Sequence, residues 1–518
     1  MRLLFIILAL AVGLVLASLA ALYSYGRFAR QAQGEPSSVL SLAEDATPLD
    51  RFVAPLLREH PGESGLALIA SNLDAFAMRA LAARHAGRSL DLQYYIWKDD
   101  LTGRLLAGEI VKAADRGVRV RLLLDDINAI GRDPAYLAMA RHPNIDIRLF
   151  NPSRTRTGTI RRAAEMLLRA VDMNRRMHNK AWIADGRVAI VGGRNVGDAY
   201  FDAAEESNFR DLDLLLYGEA VEQTGEIFDR FWNSGVVIPI EALGKEGSEE
   251  DLSRLRESLA GWAESEQARP YFERLTQSEW VRAMISGKGP IHWTRQATVL
   301  SDPPEKARGD GRERWLIAGV IPALRSAKQR AEITSPYFIP GVAGTEALVG
   351  LVSEGVDLEI LTNSLAATDV VAVHGSYAHY RKALLEGGVK LFELRPDARQ
   401  EELSLFGSSG ASLHTKAFAV DGRTGFVGSL NFDPRSVSLN TEMGVLFEDE
   451  ALAGEMHAVF AEETAPANSY RVLLEDGALI WLDESRAPPL RLGSEPEAGF
   501  WRRMMATIVG WLPIESFL

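Results

Sequence analysis

The sequence predicts an α/β protein of two similar domains, each a mixed β-sheet flanked by helices, related by a pseudo-two-fold axis with the active site at their interface. Three observations predict it. Apolar residues alternate with period two in short runs separated by helical runs. A strand, helix, strand order occurs in the first half of the chain and returns in the second. Two closely similar hairpins, "RRMHNKAWIADGRVAIVGGRN" (175–195) and "ASLHTKAFAVDGRTGFVGSLN" (411–431), stand 236 residues apart.

Taken in order, residues 1–30 begin with Arg2, run uncharged and mostly apolar from Leu3 to Tyr25, and close with Arg27 and Arg30. That run has the length of a membrane-spanning helix and reads as an uncleaved anchor. A cleaved signal peptide is the competing reading, because small residues cluster around Ser18 to Ala21. Basic residues on both flanks leave the orientation unset. Residues 31–64 form a linker, and 65–240 the first domain. Within it a helix runs from Ser71 to about Arg84, and "SLDLQYYIW" alternates as a strand. A helix from about Thr102 to Arg116 stops at Gly117, and "VRVRLLLDD" is the next strand. Residues 241–290 are charge-rich with helical spacing and read as a helical connector. The second domain, 291–465, repeats the first: "ITSPYFIP" matches "LQYYIW", "EGVDLEILTNS" matches "RGVRVRLLLDD", and "GGVKLFELRP" matches "NIDIRLFNP". The C-terminal segment, 466–518, ends in "FWRRMMATIVGWLPIESFL", whose apolar residues gather on one side at helical spacing. It reads either as a packed terminal helix or as an interfacial membrane helix.

A content of 47% hydrophobic residues in 518 supports substantial buried cores. A net charge of −13 disfavours a polyanion such as nucleic acid as partner. Without cysteine the chain has no disulfide, thiolate metal site or thiol nucleophile, so chemistry falls to His, Lys, Ser or carboxylates.

In an extended strand residues two apart share a face, so His178 pairs with Lys180 and His414 with Lys416. Asp185-Gly186 and Asp421-Gly422 are hairpin turn dipeptides. A two-residue turn there sets His178 opposite Gly193 and His414 opposite Ser429, with Asn195 and Asn431 returning beside the histidines. Imidazole, ammonium and carboxamide around a small residue suit a phosphate oxygen. Two such sets facing each other can break a phosphodiester, one imidazole attacking phosphorus while the other protonates the leaving oxygen. Asp211 and Glu442 are candidate acids to orient the imidazoles, with Glu205 and Glu206 competing in the first half. The scheme needs no metal and no cofactor.

The motif H-x-K-x(4)-D, read as His178, Lys180, Asp185 and again as His414, Lys416, Asp421, resembles that of the phospholipase D superfamily. "QYYIWKDDLTGRLL", "LTNSLAATDVVAVHGSYAHYRK" and "GSLNFDPRSVSLNTEMG" are similar to its bacterial cardiolipin synthase branch, nearest the C type. The resemblance covers about residues 65–465 and makes the two domains phospholipase D-like. It implies a phosphohistidine intermediate, with His178 as nucleophile and His414 as general acid and base. Lys180, Lys416, Asn195 and Asn431 become phosphate ligands. Asp185 and Asp421 complete the catalytic motif, in a role more often structural than chemical. Phosphatidylglycerol and, by analogy, phosphatidylethanolamine are the expected phospholipid substrates, in the bacterial inner (cell) membrane.

Other features carry less. His374 and His379 lack a third ligand and read as helix surface or pocket rim. "VGGRNVG" ends a hairpin and does not open a helix, unlike a nucleotide-binding loop. A membrane-bound phosphatidyltransferase is the leading expectation. A phospholipase D that uses water is the alternative, ahead of a nucleic-acid phosphodiesterase and an inactive lipid-binding protein.

Overall fold

The computed structural model describes residues 1–244, 247–396, 410–512 and 514–518. Each half centres on three parallel strands: Ser89–Tyr94, Arg119–Asp125 and Ile145–Phe150 in the first, Arg330–Thr334, Asp357–Asn363 and Lys390–Leu394 in the second. Beside them the sheet turns antiparallel. The hairpin Ala181–Ala184 with Val188–Gly192 leads to Asp213–Gly218, and the hairpin Ala417–Val420 with Thr424–Gly428 leads to Met443–Glu448. Ser64–Ile69 and Ala297–Ser301 occupy the same next place. The strand orders of the two sheets therefore match, as the doubled sequence pattern predicts.

The ends of the sheets depart from the sequence boundaries. Strand His292–Thr294 pairs with Ser64–Leu66 and belongs to the first sheet. Ser469–Glu475, Ala478–Asp483 and Leu490–Leu492 carry the second sheet beyond residue 465.

Helices cover the sheets where the sequence places them. Asn72–His85 is capped by the Ser71 hydroxyl on the Asp74 amide. Leu101–Asp115 is capped by Asp100 on the Gly103 amide, and the chain leaves it through Gly117 at φ 93°. The connector forms helices Glu249–Ala263, Ala268–Leu275 and Glu279–Ile285, with Leu259, Tyr271 and Met284 joining the core of the first half. Between the halves one apolar cluster joins Val191, Leu214 and Leu216 to Val427, Met443 and Val445. The strands that follow the hairpins are thus packed against each other, and burial of this surface locks the relative position of the halves.

The N-terminal helix Arg2–Gln31 contains an 18-residue stretch of mean hydropathy 2.9 and, among the described residues, is the helix long and apolar enough to cross a membrane. At 1.5 Å per residue it spans about 45 Å, so part of it extends beyond a hydrocarbon core of about 30 Å. Its last turns rest on the first half, with the Arg169 guanidinium 3.2 Å from the Tyr25 ring centroid and Arg154 4.8 Å from that of Phe28. The C-terminal helix Phe500–Gly510 lies on Val371–Tyr377, where a side chain at Gly375 would meet the Ala506 carbonyl at 2.4 Å. One side is packed, through Ala506, as the reading of a packed terminal helix expects, and the other is exposed.

The hairpin turns are centred on Asp185-Gly186 and Asp421-Gly422, all four residues at positive φ, as the dipeptides predict. The register differs by one residue. Ala184 pairs with Val188 and Val420 with Thr424, because Arg187 and Arg423 bulge out after the turn. Gly193 and Ser429 therefore do not stand opposite the histidines of their own hairpins. The Asp185 carboxylate accepts from the amides of Gly87, Arg88 and Ser89, and that of Asp421 from Lys328, Gln329 and Arg330. Both motif aspartates thus tie the turn to the start of the first parallel strand.

Asp185 is fully buried and Asp421 exposed. Asp185→Ala leaves buried amides without an acceptor, a loss of roughly 1–3 kcal/mol. It lowers the thermal midpoint clearly, and Asp421→Ala lowers it less, as read by thermal unfolding. Equal midpoints for wild type and Asp185→Ala would contradict the structural role.

Candidate active site

The chain before each histidine crosses to the other half. Strand Gly410–Leu413 pairs parallel with Ser207–Arg210, so His414 and Asp211 follow one another's pairing partners. Met177 bridges Thr441 in the same sense, and His178 and Glu442 follow. The backbone amide of His178 donates to the Thr441 carbonyl (2.8 Å), and that of His414 to the Arg210 carbonyl (2.7 Å). This pairing sets the side-chain contacts: His178 Nδ1 lies 2.8 Å from Glu442 Oε2, and His414 Nδ1 2.5 Å from Asp211 Oδ2. Each imidazole is held by the acid of the opposite half.

The small hairpin residues make room for the acids. A side chain at Gly193 would come within 2.1 Å of Asp211 Oδ1. Ser429 donates its hydroxyl to Glu442 Oε2 at 2.5 Å, and its carbonyl lies 3.2 Å from His178 Nδ1. A constant offset of 236 would equate Glu442 with Glu206, but Glu205 and Glu206 are exposed. Asp211 lies sixteen residues after Asn195 while Glu442 lies eleven after Asn431, so a longer first loop moves the acid along the chain.

Both lysines are buried, and each ammonium donates to the carbonyl of its own histidine, Lys180 to His178 O at 2.6 Å and Lys416 to His414 O. Burial pushes Lys180 down to about 7 and Lys416 down to about 8. Burial, only partly offset by Glu442, and the charge of Lys180 push His178 down to about 4. Burial and the ammonium groups of Lys416 and Lys180 push His414 well below its usual value. Burial alone would raise Glu442, but His178, Lys180 and the Ser429 hydroxyl hold it below the usual carboxylate range. Burial keeps Asp211 above that range despite Lys416 and Arg194. A neutral imidazole whose Nδ1–H donates to a carboxylate presents the Nε2 lone pair for attack, and the His178–Glu442 pair fits that description best.

Asn195 is engaged within its half: Oδ1 accepts from the Ile96 amide (3.1 Å) and Nδ2 donates to the Tyr200 hydroxyl (2.9 Å). Asn431 is buried, and its carboxamide oxygen has no partner among the described residues. Aromatic rings complete the walls, Tyr95 at 5.0 Å from the His178 ring, Tyr200 at 5.1 Å and Phe209 at 4.9 Å from His414. Sequence reasoning did not assign these three. Tyr95 stands in the quoted stretch "QYYIW" and Tyr200 five residues after Asn195, so proximity to the motif was the available signal. Below the site Asp125 accepts from Arg176 and from the Met177 amide, fixing the approach to His178.

His374 has a role that its sequence did not suggest. With Glu393 and Glu495 it forms a buried cluster of metal-ligating type, but Arg381 fills the centre, 3.0 Å from Glu393 and 2.6 Å from Glu495, and also bonds His374. The resident cation is a guanidinium, and the cluster ties the C-terminal segment to the second half.

Paired H-x-K hairpins with acids exchanged between two α/β halves define a site of the phospholipase D class. A family model described as "Cardiolipin synthase, PLD-like domain" matches residues 82–232 and again 320–464. The chain belongs to this family and is an enzyme of the phospholipase D superfamily. It is 41% identical over 471 residues to cardiolipin synthase C of Escherichia coli (strain K12), covering 90% of this chain and 98% of that protein. It is 26% identical over 385 residues to a cardiolipin synthase of Staphylococcus aureus (strain Mu50 / ATCC 700699), covering 74% and 63% respectively. Among solved structures, phosphatidylserine synthase of Haemophilus influenzae Rd KW20 has the same fold, with TM-score 0.56 and 12% identity over 90% of this chain and 99% of that one.

Replacing Glu442 by Gln keeps the size of the side chain and removes the charge that orients His178. Glu442→Gln lowers kcat by on the order of 10²- to 10⁴-fold, while Glu205→Gln and Glu206→Gln leave it unchanged. Steady-state rates decide between these acids, and a full rate in Glu442→Gln would contradict the assignment.

Proposed function

We propose that this chain is a membrane-bound phosphatidyltransferase of the cardiolipin synthase type, which moves a phosphatidyl group to phosphatidylglycerol through a phosphohistidine intermediate. The observation that carries the reading is the exchanged pair of imidazole–carboxylate contacts, in a chain 41% identical to a protein named cardiolipin synthase C. His178 Nε2 attacks the phosphorus of the donor lipid, forming a P–N bond. The bond from phosphorus to the headgroup oxygen breaks, and that oxygen takes a proton from Nε2 of protonated His414. In the second step a hydroxyl of phosphatidylglycerol gives its proton to His414 Nε2 and attacks phosphorus. The P–N bond breaks and His178 regains its lone pair.

Lys180 and Lys416 bind the non-bridging oxygens, and Asn195 and Asn431 complete the phosphate site. An anionic phosphate between the lysines neutralises the charge that depresses His414, so substrate binding itself favours the imidazolium required as acid. Asp185 and Asp421 act through the fold. Phosphatidylethanolamine is the candidate donor, and the enzyme sits in the bacterial inner (cell) membrane, held by Arg2–Gln31.

The test is incubation of the full-length protein in mixed micelles with labelled phosphatidylglycerol, with and without phosphatidylethanolamine, and mass analysis of the lipids. Cardiolipin is the expected main product, and phosphatidic acid as main product would replace transfer by hydrolysis. Chelator leaves turnover unchanged, because every proton and bond in the scheme is handled by side chains. The pH profile of kcat/KM gives a second check. His178 is lowered to about 4, so it stays unprotonated and nucleophilic until the pH falls to that region. On the alkaline side kcat/KM falls first as His414 of the free enzyme, held well below its usual value, loses the proton it must donate, and further as Lys180, lowered to about 7, loses its charge. An acid limb near 6.5 would contradict the buried, neutral nucleophile.

A further inference from the structure

Two exposed apolar helix faces remain unused by the chemistry, one on each half. The helix Thr159–Leu168 has no buried residue. Its Ile160, Ala163, Ala164 and Leu167, spaced i, i+3, i+4, i+7, form an exposed stripe in which Ile160 is 86% and Leu167 64% accessible. In the second half Trp501 and Trp511, 73% and 79% accessible, stand out with Phe500, Met505 and Ile508. Isolated exposed apolar residues are ordinary, but two amphipathic faces with large aromatic and branched side chains are not.

Both helices are joined to the chain segments that carry the catalytic motif residues. The first helix runs on through Ala170–Met173 to Asn174, four residues before His178. The second runs through Glu515–Phe517 to Leu518, whose carbonyl accepts from the amide of Arg435, four residues after Asn431. Arg435 also joins the two sides, donating to Asn174 Oδ1 at 2.8 Å and to its carbonyl at 2.9 Å. Further along, Arg502 holds the carbonyls of Leu365 and Thr368.

Position and charge identify what covers these faces. The helix Thr159–Leu168 packs beside the last turns of Arg2–Gln31, where an anchor leaves the hydrocarbon. Arg161 and Arg503 are exposed beside the apolar residues, and the C-terminal helix contains no acid, in a chain whose net charge is −13. Local basic charge around a Trp-bearing apolar face matches the headgroup zone of an anionic phospholipid surface.

We infer that Thr159–Leu168 and Phe500–Gly510, with Trp511, are a two-point membrane-docking surface that seats the mouth of the active site on an anionic bilayer. The anchor tethers the enzyme, and these helices set its tilt, so that a lipid phosphate reaches the histidines from the headgroup layer. The inference rests on the reading of the substrate as a membrane lipid, but its first test does not depend on turnover.

Because the chain contains no cysteine, single nitroxide labels can be placed on the full-length protein at Leu167→Cys and Trp511→Cys. Leu14→Cys in the anchor and Glu257→Cys on the connector serve as references. In bilayers of phosphatidylethanolamine and phosphatidylglycerol, labels at 167 and 511 are expected to collide with dissolved oxygen in preference to an aqueous nickel chelate, at a shallower depth than the label at 14. Chelate access equal to that at 257 would overturn the inference, as would protection from both reagents, the mark of a second protein copy on these faces. The double variant Leu167→Ser, Trp511→Ser should then lose about tenfold in rate on bilayer lipid and keep its rate on monomeric short-chain lipid. Equal loss on both would also overturn it. A wild type that makes no cardiolipin but shows buried labels would retire the proposed reaction and leave the docking surface standing.

Discussion

Each motif histidine is held by a carboxylate from the other half of the molecule, His178 by Glu442 and His414 by Asp211. Neither half alone holds an imidazole in its working tautomer, so the chemistry depends on the relative position of two sheets. That position is held by the apolar cluster between the strands that follow the hairpins and by short parallel pairings across the halves. Small errors of alignment cost large factors in rate when reacting atoms must meet in line. A packed interface is the part of the structure that prevents them.

The same enclosure sets the electrostatics. Two lysines and two histidines share a buried space with two acids, and burial lowers both ammonium groups and both imidazoles. In the proposed reaction an anionic phosphate relieves that concentration of positive charge, so affinity for the substrate and protonation of His414 rise together. The carboxylates differ in sign of shift, Glu442 held low and Asp211 held high, although both are fully buried. Near-symmetric halves thereby acquire unequal partners for the two imidazoles, as a two-step transfer with distinct roles requires.

Much of this was legible in the sequence because duplication doubles every signal. The period-two strands, the helix stop at Gly117 and the Asp-Gly turns follow from local chemistry, and all are found. Asp211 and Glu442 were legible as candidates but not their exchange between halves, since strand pairing across a domain boundary leaves no periodic mark. The hairpin register slipped by one because a bulge at Arg187 and Arg423 is a backbone choice that many side chains tolerate. The small residues at 193 and 429 looked like space for a ligand and are space for an acid. Tyr95, Tyr200 and Phe209 were missed because an aromatic residue in a strand or turn most often packs a core.

In the proposed reaction the two histidines have different parts, with His178 carrying the phosphatidyl group and His414 moving protons. Rapid mixing of the full-length enzyme with donor lipid, quenching under conditions that preserve P–N bonds, and mass mapping of the peptides test this division most directly. A phosphatidyl adduct confined to the peptide containing His178 is the predicted result. An adduct on the peptide containing His414 would contradict the assignment and reverse the roles of the two halves.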